Sequence, residues 1–442
     1  MKQVRRRTMI LLCIAAFLAV GLLWFCVRWA TQGRDWVNYF GNTSLFGNGA
    51  IYDRNGVLLY DGKTGEYAEQ KSVRKATMHL VGDSNIATSM RNVLSDRLSG
   101  YHPITGTAFG SHDIYLTIDA SLNDVAYQAL NGKKGVVAVY NYKTGEILCL
   151  VSAPSYDPEN PPTDVSGSQY EGVYLNRFFS SLFPPGSIFK VITTAATLEK
   201  KADWQSFRFD CDGKFEVGGQ VITCPRAHGS NLTLQQAFAR SCNGAFGQLA
   251  LELGGDVLRT YAQSGGILNS YDISGVTTAA GQFDVGAAGT IDLAWSGSGQ
   301  YHDMINPASF LMLMGGIANG GKAQVPVLLK KESFSDSSIP SSLKERSEGN
   351  AIWSRSTCDA LKQMMRNNVQ ETYGQKNFGD LTICAKSGTA EVGNGQAPHA
   401  WFSGFLDEAD HPLAFIVLVE NGGSGANVAG AVASKVLQKA AR

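Results

Sequence analysis

The stretch FPPGSIFKVITTAATLEK, residues 183–200, gives the strongest indication of how the chain folds and what chemistry it carries. Ser187 follows a Pro-Pro-Gly turn and opens an apolar run that predicts a buried helix. Lys190 comes three residues later, so its amine lies near the same helical face as the Ser187 hydroxyl. The pattern predicts a serine held rigidly at a helix start, with a lysine buried beneath it.

The same Ser-x-x-Lys spacing occurs twice more, in a different context. Ser72 with Lys75 and Ser341 with Lys344 lie in polar, charged segments. Neither copy has the turn before it or the apolar helix after it. The surroundings, rather than the spacing, therefore select Ser187 as the candidate nucleophile.

Length and charge set broad limits on the protein. At 442 residues the chain can bury a large core and is long enough for two or three units. Lys and Arg number 38 and Asp and Glu also number 38, so the formal net charge is zero. This balance gives no reason to expect a polyanion as a partner, and we expect no binding to nucleic acid.

The N-terminus predicts a membrane anchor. Residues 1–7 carry four basic side chains, and the apolar stretch over residues 8–28 is long enough to cross a bilayer. The alternative is a cleaved signal peptide, which would have a shorter apolar core and a small-x-small cleavage site that is not found here. We expect a cytoplasmic tail at residues 1–7 and a single-pass transmembrane segment at 8–28. The basic residues then place everything after the span outside the cytoplasm.

Three cysteines and a histidine downstream of the span allow three alternative arrangements. Cys211 and Cys224 flank KFEVGGQVIT, a predicted hairpin, and a disulfide between them is our first interpretation for an oxidising compartment. His228 and Cys242 follow closely, so three thiolates and an imidazole could instead hold a structural zinc ion. Isolated thiols are the third alternative.

Two units are predicted after the anchor. Residues 47–62 have the pattern of a hairpin, and residues 35–111 predict a small pedestal or dimerisation-like module, serving as spacer and partner contact. Residues 112–442 predict a strand, an amphipathic helix and two strands joined by a turn, followed by the Ser187 segment. Three further strands over residues 381–420 and a helix from about residue 428 close this unit, with an exposed loop at 333–349. We expect an α/β (α+β) domain whose antiparallel sheet is flanked by helices.

Two more polar motifs accompany the Ser187 segment. Ser241-Cys242-Asn243 interrupts an otherwise helical, apolar segment, where Ser and Asn are poor helix formers that need partners. The sequence Lys-Ser-Gly-Thr, residues 386–389, lies on a predicted late strand, where its glycine would leave room for the backbone of a ligand. Helix-opening SxxK, then SxN, then K[ST]GT on a late strand form a specific combination, known from penicillin-binding proteins and class A β-lactamases.

The chain resembles class B penicillin-binding proteins over nearly its whole length from about residue 47, and in its anchor. The resemblance rests on YLNRFFSSLFPPGSIFKV, GQFDVGAAGTIDLAWSGSGQ with the following NPASFLMLMGGIANGGKAQVPVLL, AKSGTAEVGNGQAPHAWFSGF, the DRNG stretch and TGEILCLVSAPSYDP. It implies a penicillin-binding, serine β-lactamase-like transpeptidase fold. The implied activity is a D,D-transpeptidase that cross-links peptidoglycan stem peptides through an acyl-serine and is inhibited by β-lactam antibiotics.

The resemblance also implies a role for each motif residue. Ser187 is the acylated nucleophile and Lys190 takes its proton, while Ser241 relays protons and Asn243 holds the donor amide. Lys386, grouped with the catalytic residues, and Thr389 bind the terminal carboxylate of the substrate or of a β-lactam, and Ser387 and Gly388 belong to the same substrate-binding strand. No metal or cofactor is implied for catalysis. Residues 29–111 leave no room for a glycosyltransferase-sized domain, so a separate glycan-polymerising membrane glycosyltransferase is the implied partner.

The chemistry of acyl transfer by a serine requires the same arrangement. A serine hydroxyl is a weak nucleophile until a neighbour accepts its proton, so Lys190 must be neutral when Ser187 attacks. Because free lysine has a pKa of about 10.4, we expect burial and a second cation, Lys386, to lower it. The tetrahedral intermediate needs two donors, most simply the backbone N–H groups of Ser187 and Thr389.

Two alternative functions use the same residues. A D,D-carboxypeptidase or serine β-lactamase would transfer the acyl group to water instead of an amine. A β-lactam sensor or non-catalytic scaffold would be acylated without turning over peptide, although only about seven residues are expected on the cytoplasmic side. Whether the protein serves elongation, division or spore formation does not follow from the sequence.

Overall fold

The computed structural model describes residues 2–41, 49–99, 101–102, 107–108, 112–285, 289–334, 349–393 and 395–442. Within these ranges the helices are α1 Lys2–Gly41, α2 Lys71–Val81, α3 Met90–Val93, α4 Ser95–Ser99, α5 Ala120–Leu130, α6 Arg177–Ser180, α7 Lys190–Lys200, α8 Leu234–Ala239, α9 Asn243–Leu253, α10 Gly255–Ser264, α11 Ile291–Ser296, α12 Pro307–Ala318, α13 Arg355–Asn368 and α14 Gly430–Ala440. The strands are β1 Ile51–Tyr52, β2 Leu58–Tyr60, β3 Tyr101–His102, β4 Thr107–Ala108, β5 His112–Leu116, β6 Gly135–Asn141, β7 Ile147–Ala153, β8 Phe209–Cys211, β9 Lys214–Val217, β10 Gln220–Thr223, β11 Gly229–Leu232, β12 Asp272–Ile273, β13 Val276–Thr277, β14 Lys322–Gln324, β15 Leu329–Phe334, β16 Gly349–Ala351, β17 Ile383–Ala390, β18 His399–Leu406 and β19 Leu413–Val419.

A five-stranded antiparallel sheet in the order β17-β18-β19-β6-β7 forms the centre of the fold. Side chains alternate between its two faces, as the strand period of two requires. Val136, Ala138 and Tyr140 pack into one core, and Val137 and Val139 into the other. Helix α12 covers the first face, and α5 with α14 covers the second. The predicted antiparallel sheet flanked by helices is confirmed.

Helix α1 fits the predicted anchor by length and composition. Its stretch Val4–Thr31 contains an 18-residue window with a mean hydropathy of 2.8, and none of that window is buried against the rest of the chain. This stretch contains the predicted span at residues 8–28. An apolar helix of 28 residues suggests a membrane anchor.

The segment between the anchor and the main sheet packs closely onto the latter. The hairpin of β1 and β2 forms as predicted, and β1 also pairs in parallel with β5, which β15 joins on its other side. Strand β5 was predicted to open the second unit, yet it lies in a sheet with the first, and the boundary after residue 111 stays a prediction. Helix α2 packs on α5 and β7, where Arg74 Nε donates to Asp157 Oδ1 over 2.7 Å.

The other predicted elements are found with small shifts. The strand, helix and hairpin after residue 112 are β5, α5, β6 and β7, and the three late strands and closing helix are β17, β18, β19 and α14. Most of the predicted loop at 333–349 lies outside the described residues, as does the decoy pair Ser341 and Lys344. The ends of that stretch belong to β15 and β16.

Candidate active site

Ser187 lies in a short 3-10 turn, Gly186–Phe189, that leads directly into α7. Gly186 adopts a positive φ of 54°, and its N–H donates to the carbonyl oxygen of Gly299 over 2.8 Å. A Cβ on Gly186 would lie 2.7 Å from the carbonyl oxygen of Thr389, so glycine is required here. The Pro-Pro-Gly turn therefore sets the Ser187 hydroxyl directly beside strand β17.

Lys190, the first residue of α7, is completely buried below Ser187. Its Nζ lies 3.0 Å from Ser187 Oγ. It also lies 2.8 Å from the carbonyl oxygen of Ser241 and 2.7 Å from Asn243 Oδ1. Burial lowers the pKa of Lys190 to about 7, because removing the ammonium from water disfavours the charged form. A neutral amine is thus available near neutral pH to accept the Ser187 proton.

The Ser241-Cys242-Asn243 segment forms a turn between α8 and α9. Ser241 adopts a left-handed φ of 57°, which a residue with a side chain takes up only at a cost. The amide group of Asn243 is held at both ends, because Oδ1 accepts from Lys190 and Nδ2 donates to Thr223 O over 2.8 Å. The predicted interruption of the helix is therefore found, and its polar side chains face the Ser187 segment.

Lys386 brings the third motif into the same network from β17. It is completely buried, and its Nζ donates to Ser241 Oγ over 3.0 Å and to Ser387 O over 2.9 Å. Lys190 Nζ lies 3.3 Å from that same Ser241 oxygen. Burial first, and then the nearby Lys190 charge, lower the pKa of Lys386. A single hydroxyl thus bridges two buried amines.

Strand β17 is the edge of the central sheet, and its motif residues take different environments. Thr389 is exposed, and its Oγ1 accepts a long hydrogen bond of 3.5 Å from Gly425 N–H. Ser387 points toward Tyr373, whose hydroxyl accepts its backbone N–H over 2.9 Å and lies 3.1 Å from its Oγ. Thr389, rather than Ser387, therefore offers a freely accessible hydroxyl on this strand.

The expectation that Gly388 leaves room for a ligand is wrong. A Cβ at this position would lie 3.0 Å from both Ile188 Cγ2 and the carbonyl oxygen of Pro185, and 3.1 Å from Trp401 Cβ. The glycine faces the Ser187 turn, so it permits that turn to pack tightly against β17. Gly388 therefore keeps the Ser187 turn and strand β17 close together.

A cleft of about 970 Å³ opens above this network. The motif side chains that line it are Ser187, Ser241, Asn243, Ser387 and Thr389. The two lysines lie beneath its surface, and Trp295, Tyr301 and Glu391 contribute to its rim. The structure thus brings all predicted site residues together, with the Ser187 and Thr389 hydroxyls at the cleft and the two amines beneath its surface.

Several supporting residues were not predicted from the sequence. Tyr373 fixes Ser387, Gly299 accepts from the Ser187 turn, and Thr223 holds the Asn243 amide. Trp401 Nε1 donates to Pro184 O over 3.0 Å and ties the turn to the neighbouring strand. None of these residues has a distinctive spacing from the motif it supports, so only the fold reveals them.

The predicted disulfide between Cys211 and Cys224 is not formed in the structure. Their Sγ atoms lie 3.8 Å apart, and both cysteines are free. Cys224 Sγ lies 3.9 Å from Cys242 Sγ, and Cys211 Sγ lies 3.3 Å from His228 Nδ1. The alternative grouping of four residues is therefore the arrangement found, directly next to Ser241 and Asn243.

Comparison with known proteins agrees with this architecture. Residues 135–438 match the family described as Penicillin binding protein transpeptidase domain. The peptidoglycan D,D-transpeptidase PbpA of Mycolicibacterium smegmatis is 31% identical over 364 residues, covering 76% of this chain and 72% of that protein.

Solved structures show the same fold. Penicillin-binding protein A from M. tuberculosis, in a ceftriaxone acyl-enzyme complex, superposes with a TM-score of 0.78 at 24% identity, over 90% of this chain and 99% of that one. The D,D-transpeptidase domain of a peptidoglycan glycosyltransferase from Eggerthella lenta gives a TM-score of 0.73 at 26% identity, over 89% and 97% of the two chains. By family match, sequence identity and fold, the chain belongs to the penicillin-binding protein transpeptidase family.

Proposed function

We propose that the chain is a membrane-anchored D,D-transpeptidase that cross-links peptidoglycan stem peptides through an acyl-serine at Ser187. The observation that carries the proposal is the hydrogen-bonded network in the cleft. Ser187 Oγ lies 3.0 Å from Lys190 Nζ, and Ser241 Oγ connects Lys190 with Lys386. A nucleophile, a neutral base and a second amine within one network are what acyl transfer by serine needs.

In the first half-reaction Lys190 accepts the proton of Ser187 while Oγ bonds to the carbonyl carbon of the stem peptide's terminal peptide bond. The backbone N–H groups of Ser187 and Thr389 stabilise the oxyanion that forms, since the Gly186 turn packs directly against β17. Collapse of the intermediate breaks the C–N bond. The departing D-amino acid takes its proton from Lys190, through Ser241.

In the second half-reaction the amine of another stem peptide attacks the acyl-serine. This amine loses a proton by way of Ser241 to Lys190, and Ser187 Oγ recovers a proton when its ester bond breaks. One peptide bond is broken and one is formed, so the cross-link needs no external energy source. A β-lactam follows the first half-reaction only, because its leaving amine stays tethered in the cleft.

Recognition of the donor uses the edge strand. The Thr389 hydroxyl binds the terminal carboxylate, with Lys386 as a positive charge beneath it, and the peptide extends along the outer edge of β17, the end strand of the described sheet. Asn243 holds the donor amide while its own amide is fixed between Lys190 and Thr223. A carboxylate arriving beside Lys386 favours the protonated form of that amine, which leaves Lys190 as the neutral base.

The proposed location is the outer face of the cell membrane, with residues 1–7 in the cytoplasm and the catalytic domain outside. The apolar helix Val4–Thr31 and its basic N-terminal end support this orientation. A separate glycan-polymerising membrane glycosyltransferase is the proposed partner. In support, one structural neighbour, with a TM-score of 0.62, belongs to a peptidoglycan synthase complex that coordinates polymerization and crosslinking.

The first test is covalent labelling by a fluorescent penicillin in membranes that contain the full-length chain. Wild type gives a labelled band, and Ser187→Ala gives none. The matched control is Ser72→Ala, which alters the decoy Ser-x-x-Lys pair and keeps full labelling. Labelling that persists in Ser187→Ala, or that is lost in Ser72→Ala, would overturn the assignment.

The second test separates transfer from hydrolysis. Purified full-length protein is incubated with polymerised glycan that carries stem peptides, and the products are digested and analysed by mass spectrometry. Cross-linked dimers that depend on Ser187 support the transpeptidase. Monomers shortened by one residue, without dimers, would establish a carboxypeptidase instead.

A further inference from the structure

Three cysteines and a histidine cluster on the wall of the cleft, and no step of the proposed mechanism uses them. Cys211 ends β8, Cys224 follows β10, His228 precedes β11, and Cys242 lies between Ser241 and Asn243. Their four ligand atoms all lie within 4.8 Å of one another. We propose that these four side chains bind a structural zinc ion that fixes the Ser241–Asn243 turn.

The distances fit a tetrahedral ion. A Zn–S bond of about 2.3 Å places two thiolates at adjacent corners about 3.8 Å apart, and a Zn–N bond of about 2.0 Å gives a sulfur–nitrogen edge of about 3.5 Å. The Cys211–Cys224 and Cys224–Cys242 sulfurs lie 3.8 and 3.9 Å apart. The Cys211 sulfur lies 3.3 Å from His228 Nδ1. The ligand atoms therefore already have the spacing of a tetrahedral zinc site.

Zinc binding requires the three cysteines as thiolates and the histidine as a neutral imidazole. On binding, Zn²⁺ displaces three thiol protons to solvent, and the neutral imidazole supplies the fourth ligand.

The chemistry of the ligand set favours a structural role. All four tetrahedral positions are filled by protein, so no open position remains for water or substrate. Cys211, His228 and Cys242 are buried, and Cys224 is half-buried at the cleft. Zinc is the expected ion, because soft thiolates in a closed tetrahedral set select it over the harder divalent cations.

The location of the cluster explains what the ion would hold in place. Cys242 is the central residue of the turn in which Ser241 adopts φ 57°. Cys224 follows Thr223, whose carbonyl accepts from the Asn243 amide. A zinc ion would therefore tie the β9–β10 hairpin and the start of α9 together, and with them the oxygens that contact Lys190.

The test measures zinc and thiols in the full-length protein, purified in detergent without chelators. Wild type is expected to contain one zinc per chain by plasma mass spectrometry. The Cys211→Ala variant is expected to lose it. The matched control, Cys149→Ala, removes another buried free cysteine outside the cluster and keeps the zinc. Replacement of zinc by Co²⁺ gives thiolate-to-cobalt charge-transfer absorption in wild type and not in Cys211→Ala.

Counting thiols in denatured, unreduced protein separates zinc from the disulfide. The chain has 8 cysteines, and the zinc site leaves all of them titratable, whereas a Cys211–Cys224 disulfide removes two. The proposal is overturned if wild type lacks zinc even after incubation with zinc sulfate, if two thiols are missing, or if Cys211→Ala keeps the ion. The zinc content and thiol count of the wild type test the proposal even if Cys211→Ala does not fold.

The effect on acylation rests on the proposed function. Removing zinc from wild type is expected to slow penicillin labelling by about 10-fold or more, a typical loss when the support of a site is removed. Re-addition of zinc restores the rate. If zinc-loaded wild type is never labelled, the proposed function fails, while the zinc content still decides the metal site.

Discussion

Burial of Lys190 leads to a specific dependence of acylation on pH. The amine has no exposed surface, and this burial lowers its pKa to about 7. Since only the neutral amine accepts the Ser187 proton, the rate of acylation should follow the fraction of deprotonated Lys190.

The expected magnitude follows from that pKa. With a pKa of about 7, the neutral fraction rises from about 9% at pH 6 to about 91% at pH 8, a tenfold increase that then levels off. A lysine with the ordinary value of 10.5 would give about a hundredfold increase over the same interval and no plateau below pH 10. The curvature of the plot of acylation rate against pH therefore distinguishes a buried lysine from a solvated one.

The assay is the second-order rate constant for labelling by a fluorescent penicillin, measured from pH 5.5 to 9.5 with circular dichroism confirming the fold at each pH. The control is His302→Gln, which removes an exposed imidazole beside Tyr301 at the cleft rim and keeps the wild-type midpoint. A logarithm of the rate that rises with unit slope from pH 7 to 9 would refute the reasoning. So would a rate that does not change over the whole range.

Three further substitutions test the packing around the site. Arg74→Met leaves the Asp157 carboxylate buried without its 2.7 Å partner, and is expected to cost about 3 kcal/mol, seen as a lower unfolding temperature in detergent. Gly299→Ala places a Cβ 2.5 Å from Phe189 Cβ and closer still to the Gly186 carbonyl oxygen, so displacement of the Ser187 turn should slow penicillin labelling about 100-fold. Asp303 is buried with no hydrogen-bond partner among the described residues, and burial raises its carboxyl pKa. Wild-type stability should therefore fall as pH rises through that pKa, so Asp303→Asn should unfold at a higher temperature at pH 8, with no difference near pH 4; a lower temperature at pH 8 would contradict this.

Local patterns were enough to predict much of the fold. The β6–β7 hairpin, the late strands and the apolar α7 each carry their own periodicity and turn residues, and these determine secondary structure over short distances. The order of strands in the sheet depends on which apolar faces pack together, so it did not follow from any single stretch. The pairing of β5 with β1 was missed for the same reason.

The three motifs together allowed the main residues of the site to be predicted. The contacts that support these residues could not be predicted in the same way. The chain order of the motifs indicated that Ser187, Ser241 and Lys386 belong together, and in the structure Lys190 links Ser187 to Ser241, which bonds to Lys386. Gly388 was misinterpreted because a strand pattern does not say which neighbour faces a glycine. Tyr373 was missed because its contact with Ser387 arises from how the segment after α13 packs, rather than from spacing.

The pairing of β19 with β6 has a consequence for how the protein is made. This central ladder joins residues 413–419 to residues 135–141, and the two lysines of the site come from α7 and β17. A nascent chain that still lacks its last strands therefore has an incomplete sheet, an uncovered β6–β7 hairpin and no cleft. Contacts over such sequence distances slow folding, because a long loop must close before they form. Catalytic competence thus arises only after the residues of β19 have been synthesised and can pair with β6.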